Sequence, residues 1–157
     1  MSRIWRISNY ADLEGSGGLK AGQRWHSRGR PIIYCAPSPA AAILETLVNF
    51  EIDSIDELPL TYQLIAIDLP EKISRLRVNL EDLPKDWLTP KRLTVTRKIG
   101  DAWLAAAEHT AIEVPSAVAP LTWNTLLNPA LLIGMGVKIT GVSRYPFDPR
   151  LFRTITP

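Results

Sequence analysis

The chain has 157 residues, enough for one domain that buries roughly two thirds of the surface its unfolded form exposes. Hydrophobic residues make up 46% and charged residues 22%, which excludes the disordered and fibrous classes, and a formal net charge of +2 is too small to argue for any partner. Its one cysteine, Cys35, excludes an intramolecular disulfide, and with only His26 and His109 a metal cluster would need carboxylate help, so no metal is expected.

The opening Met1-Ser-Arg-Ile-Trp-Arg6 lacks the apolar stretch of a signal peptide, and no apolar run reaches the roughly 18 residues of a membrane span, so a cytoplasmic protein is expected. Ile4 to Ile7 predict a short strand, and Gly15, Gly17 and Gly18 a mobile connection. Pro31 to Ala36 is a compact apolar strand in which Cys35 reads as a buried residue. Ser38-Pro39 supplies an N-cap with proline at the first helical position, and a helix follows to about Phe50. Its apolar residues lie all round, which predicts a helix covered on most sides and sends Glu45, the one charge between Pro31 and Phe50, into protein or a cleft.

Leu60 to Leu69 predicts a strand stopped by Pro70, and Arg75 to Val78 a shorter one. Glu81 to Pro90 reads as loop and Arg97 to His109 as a second helix with Trp103, Leu104 and Ala107 toward the core. Ile112 to Val114 leads into Pro115-Ser116, Asn124 to Pro129 predicts a turn, and Val137 to Tyr145 a final strand. With no repeat or linker, residues 1–157 read as a single mixed α+β domain rather than a regular βαβ series.

Basic residues cluster as Arg24, Arg28 and Arg30, and again as Lys91, Arg92, Arg97 and Lys98, the second set reading as a solvated face. The chain has no G-x-G-x-x-G, P-loop lysine, G-x-S-x-G elbow or H-E-x-x-H helix, which removes the common dinucleotide-binding Rossmann enzymes, P-loop kinases, serine hydrolases and zinc proteases. What remains are four polar residues on apolar ground: Arg24, Tyr34, Glu45 and Ser116. Each has a plain structural alternative, namely a salt bridge for Arg24, a buried strand tyrosine for Tyr34, a charge reaching the helix edge for Glu45 and a turn residue for Ser116. Trp25 reads as core, and Asn124 and Asn128 as turn caps.

Gly22 to Trp25 (G-Q-R-W), Ile32 to Ala36 (I-I-Y-C-A), Ala42 to Glu45 (A-I-L-E) and Val114 to Val118 (V-P-S-A-V) occur in that order, followed by related phrases at Gly100 to Leu104, Asn124 to Pro129 and Phe147 to Leu151. In this set the chain resembles the RES-domain family over nearly its whole length, the naming arginine, glutamate and serine falling on Arg24, Glu45 and Ser116. The resemblance implies the toxin of a bacterial toxin–antitoxin pair, a central β-sheet core like that of ADP-ribosyltransferases flanked by helices, and NAD as substrate with no cofactor. It further implies a helix-turn-helix antitoxin of Xre type as partner, contact with DNA only through that antitoxin, and an ADP-ribose acceptor that is water, phosphate or a protein side chain. It leaves a homo-oligomer within the complex open.

On that reading a fixed Glu45 carboxylate faces the positive charge that develops on ribose, while Arg24 grips the pyrophosphate or pairs with Glu45 in the empty site. Tyr34 offers a ring face to nicotinamide and a hydroxyl to ribose or carboxylate. Ser116 donates to ligand rather than acting as nucleophile, and Arg28 and Asn124 join the substrate contacts. Two other functions compete: a ribonuclease toxin using His26 and His109 as acid and base, and a non-catalytic member that only binds a partner.

Overall fold

The computed structural model describes residues 1–49, 60–144 and 146–152. Among the described residues seven strands form two sheets. The first has the order β1 (Ser2–Ser8), β3 (Gln63–Leu69), β7 (Lys138–Arg144) and is antiparallel throughout. The second has the order β2 (Ile33–Cys35), β6 (Trp123–Leu127), β5 (Ala111–Pro115), β4 (Arg75–Arg77). Its β4–β5 pair is parallel, and the crossover between them carries the helix α3 (Leu93–Ala106), as a parallel connection requires. Trp5 and Ala36 exchange backbone hydrogen bonds of 2.9 and 2.7 Å, tying the first sheet to the second at one corner.

One core lies between the sheets, built from Ile4, Ile65, Ile67 and Leu69 of the first with Ile33, Cys35, Ala111 and Leu127 of the second. The other face of the second sheet sends Ile112, Val114 and Leu126 against Trp103 and Leu104 of α3 together with Trp25 and Trp87. Burial on both faces explains why β5 and the end of β6 read as apolar runs without alternation.

The helix α2 (Pro39–Asn49) is capped as its sequence predicts, Ser38 Oγ accepting from the Ala41 N–H at 3.1 Å. It packs over β1, its inner side resting through Ile43 and Leu47 beside Ile7, Tyr62 and Phe147. It is not covered on most sides, because Leu44 is 40% and Val48 50% exposed. Other expectations are corrected too. Gly17–Lys20 forms a single helical turn, α1, with Gly18 packed against Ile32 and the Arg30 carbonyl, so this connection is seated rather than loose. The helix α3 begins four residues before Arg97 and stops at Ala106, since Ala107 turns left-handed (φ 51°) and is exposed. Trp123–Leu127 is a central strand rather than a turn, and the turn is confined to Asn128, whose side chain accepts from the Ala130 N–H. The expected helix end at Phe50 and strand end at Tyr145 lie outside the described residues.

Candidate functional site

Glu45 projects from α2 toward the β5–β6 hairpin, and both arms of that hairpin reach its carboxylate. Ser116, one residue past β5, donates from Oγ to Glu45 Oε1 at 2.6 Å, and Asn124 on β6 donates from Nδ2 to the same oxygen at 2.8 Å. The Ser116 hydroxyl in turn accepts the Val118 and Ala119 N–H groups at 3.1 and 2.9 Å, so its proton is committed to Glu45. Sequence reasoning assigned Ser116 as a donor to ligand; in this structure its proton goes to the Glu45 carboxylate. Among the described residues Oε2 makes no hydrogen bond, and one face of the carboxylate is left for a visitor.

Two cavities, of about 420 and 380 Å³, meet at this point, and Gln23, Tyr34, Glu45, Asn49 and Asn124 line both. Arg24 and Arg97 line the smaller, and Arg6 and Lys20 the larger. The segment carrying Arg24 is held by one face of α3. Thr96 Oγ1 donates to the Arg24 carbonyl at 2.6 Å, Arg97 Nε to the Gln23 carbonyl at 2.7 Å, and Asp101 accepts from the Ser27 N–H and hydroxyl at 2.9 and 2.6 Å. Between these anchors Gly100 lets the helix touch the Trp25 backbone, because a methyl group there would overlap the Trp25 carbonyl. Thr96, Arg97, Gly100 and Asp101 follow the three- and four-residue spacing of one helix face.

Arg24 forms no ion pair with Glu45. Its Nη1 donates to the Trp87 carbonyl at 3.3 Å and its guanidinium lies 5.6 Å from the centre of the Trp87 ring. Burial lowers its pKa and the Glu45 charge opposes that shift, but a guanidinium stays protonated, so Arg24 contributes a fixed positive charge to the carboxylate's surroundings.

Tyr34 pairs with Leu126 across β2 and β6, which puts it on the same sheet face as Asn124 two residues along β6. Its hydroxyl accepts the Trp25 N–H at 3.3 Å and lies 2.7 Å from His26 Nδ1. Burial raises the phenol's pKa and keeps it neutral. The hydroxyl assigned to ribose is thus engaged by protein, and the ring is what Tyr34 presents to both cavities. Asn124 keeps its place at the site, but through Glu45 rather than as a turn cap, and its Oδ1 is buried without a partner.

Arg28 and Arg30 are exposed and line neither cavity, so Arg28 does not join the group. Arg97, assigned from sequence to a solvated face, takes that place. Sequence reasoning grouped it with Lys91, Arg92 and Lys98 as a basic cluster, and its contact with the Gln23 carbonyl, 74 residues away, has no local signal. Cys35 is buried, its thiol pushed up to about 12, which keeps it a neutral core residue. His26 lines the larger cavity with both ring nitrogens hydrogen-bonded, whereas His109 lines neither, so the pair needed for ribonuclease chemistry is not assembled in these cavities. Among the described residues no group of three or more His, Cys, Asp or Glu could hold a metal ion. No described helix is long and apolar enough to cross a membrane.

The family model described as RES domain matches residues 3–148. The chain belongs to the RES domain family. Among its relatives, the protein named Toxin Res from Pseudomonas putida is 42% identical over 149 residues, covering 95% of this chain and 99% of the relative. The Prs ADP-ribosylating toxin from Sphingobium sp. is 32% identical over 158 residues, covering 96% of both. The RES fold seen here also matches a chain of the crystal structure of the M. tuberculosis MbcT-MbcA toxin–antitoxin complex, with a TM-score of 0.75 over 96% of this chain and 86% of that one, at 17% identity. That likeness is one of fold, and it agrees with the mixed α+β architecture expected from sequence.

Proposed function

We propose that this RES-domain chain is the toxin of a toxin–antitoxin pair and that it breaks the nicotinamide–ribose bond of NAD. The observation that carries the reading is a carboxylate, Glu45, fixed through one oxygen where two cavities of about 420 and 380 Å³ meet, with arginines in the smaller. A dinucleotide needs such a shape: two compartments joined at the bond to be broken, and cations for its pyrophosphate. Relatives named as toxins, one of them as ADP-ribosylating, support the same chemistry.

In this mechanism the bond from ribose C1′ to the ring nitrogen breaks, and its electron pair leaves with nicotinamide, which departs neutral because it began as a cation. Positive charge builds on C1′ and the ring oxygen. Glu45 Oε2 faces that charge, and because Ser116 and Asn124 already hold Oε1, the carboxylate does not reorganise as the charge appears. The same oxygen orients the attacking group and takes its proton when that group is water. Arg24 and Arg97 hold the pyrophosphate, and the Tyr34 ring stacks on a planar base. Neither metal nor cofactor enters any step.

The partner on this reading is an antitoxin with a helix-turn-helix part, and the chain meets DNA through it. Purified protein incubated with NAD, with and without phosphate, tests the function. Nicotinamide release is expected in at least one condition, and the companion product (ADP-ribose, its 1″-phosphate or a modified protein) names the acceptor. Release in none of them, even with a cell extract added as acceptor, contradicts the proposal.

A further inference from the structure

The buried imidazole of His26 has no role in the chemistry above, yet it is 1% exposed and lines the larger cavity two residues after Arg24. Its Nε2 lies 3.0 Å from the Ala21 carbonyl, which can only accept, so Nε2 bears the proton and donates. Nδ1 is then a bare acceptor, and the hydroxyl 2.7 Å away must donate to it. The Trp25 N–H supplies that same hydroxyl with a donor at 3.3 Å. A directed chain results: Trp25 N–H to Tyr34 Oη, Tyr34 O–H to His26 Nδ1, His26 Nε2–H to the Ala21 carbonyl.

We propose that His26 is a positioning residue, which takes the Tyr34 hydroxyl proton as a hydrogen-bond acceptor and thereby fixes the Tyr34 ring as a stacking face in the wall shared by the two cavities. Three features support this beyond ordinary core packing. A phenol on a strand can swing about χ1 unless its oxygen is tethered, and here it is tethered from two sides. The hydroxyl's one proton goes to His26 Nδ1, so it is not offered to substrate and specificity rests on the ring face. Ala21 and Trp25 flank Arg24, so the same chain sets the spacing between the stacking ring and the guanidinium in the smaller cavity. Burial lowers the His26 pKa and favours the neutral ring that this arrangement requires.

The inference rests on the NAD reading only for the consequence in turnover, and its test separates the two. Ring 15N resonances of His26 are recorded in the wild type and in Tyr34→Phe. The neutral Nε2–H tautomer is expected, with the Nδ1 resonance moving downfield when the phenol oxygen is removed; an Nδ1–H tautomer, or an Nδ1 resonance indifferent to Tyr34→Phe, overturns the proposal whether or not NAD is cleaved. In turnover, Tyr34→Phe and His26→Phe are each expected to reduce kcat/KM by roughly 5- to 30-fold, and the double variant by no more than the larger single loss. His26→Asn, which keeps an acceptor near the Nδ1 position, is expected to recover part of the His26→Phe loss. Losses that multiply in the double variant, or a His26→Asn protein that folds yet is no better than His26→Phe, contradict the proposal.

Discussion

Ser116 and Glu45, 71 residues apart in sequence, are joined by a 2.6 Å hydrogen bond in which the serine hydroxyl donates to a carboxylate oxygen. The bond makes the serine a support for the carboxylate. Ser116→Ala should therefore lower kcat by roughly 10- to 100-fold, the range a charge-assisted hydrogen bond of about 1.5–3 kcal/mol converts to, while KM for NAD changes little. Steady-state kinetics on the folded variant check this, and a change confined to KM would instead place the hydroxyl on the substrate.

Arg24 is held by the Trp87 carbonyl and ring rather than by Glu45, so its charge is not neutralised at close range. Arg24→Ala should weaken NAD binding by about 1.5–3 kcal/mol, and Arg24→Lys should restore only part of it because an ammonium cannot present the planar fork. Titration of NAD into a slowly turning-over Glu45→Gln background measures both.

Gly100 is a stability prediction with an unusual sign. In the middle of a helix Gly→Ala ordinarily gains up to about 1 kcal/mol. Here the added methyl would meet the Trp25 carbonyl, so Gly100→Ala should instead cost about 3 kcal/mol or more, and should loosen the Arg24 segment as well. Urea unfolding of the variant gives the sign directly.

The buried His26 also sets a pH dependence. Burial holds its folded pKa below the ordinary imidazole value of 6.5, so between the two values the unfolded chain binds a proton that the folded chain refuses. Its contribution to stability is therefore full above about pH 6.5 and declines as pH falls below it. Unfolding free energy measured from pH 7.5 downward should show this decline, and it should be absent in any His26→Asn protein that folds.

Much of this site was legible because the physics that singled it out is local. Glu45 stood out as one charge in an apolar run, Ser38-Pro39 fixed where its helix begins, and Tyr34 sat in a short apolar strand. What could not be read was long-range: that Ser116 and Asn124 converge on one oxygen depends on the pairing of β5 with β6, and Asn124 looked like a turn residue because Asn128-Pro129 follows so closely. Arg97 was hidden among the basic residues Lys91, Arg92 and Lys98, and Thr96 by a helix start read at Arg97, whereas Pro90 to Arg92 begin a 3-10 turn that runs straight into α3 at Leu93. The all-round apolar character of α2 misled in a different way. Alanine and leucine suit a helix exposed on one side as well as a buried one, and Leu44 and Val48 remain open.

The central claim is that Glu45 acts through charge on the ribose bond, and Glu45→Gln tests it with least ambiguity, since the amide keeps the shape and a hydrogen-bonding oxygen but removes the charge. Nicotinamide release by the wild type and by Glu45→Gln should be compared after thermal unfolding has shown that both are folded and a titration that both still bind NAD. Release at least about 100-fold slower in the variant, with binding retained, is the predicted result. Equal release by the two proteins would contradict the account even with NAD as the right substrate.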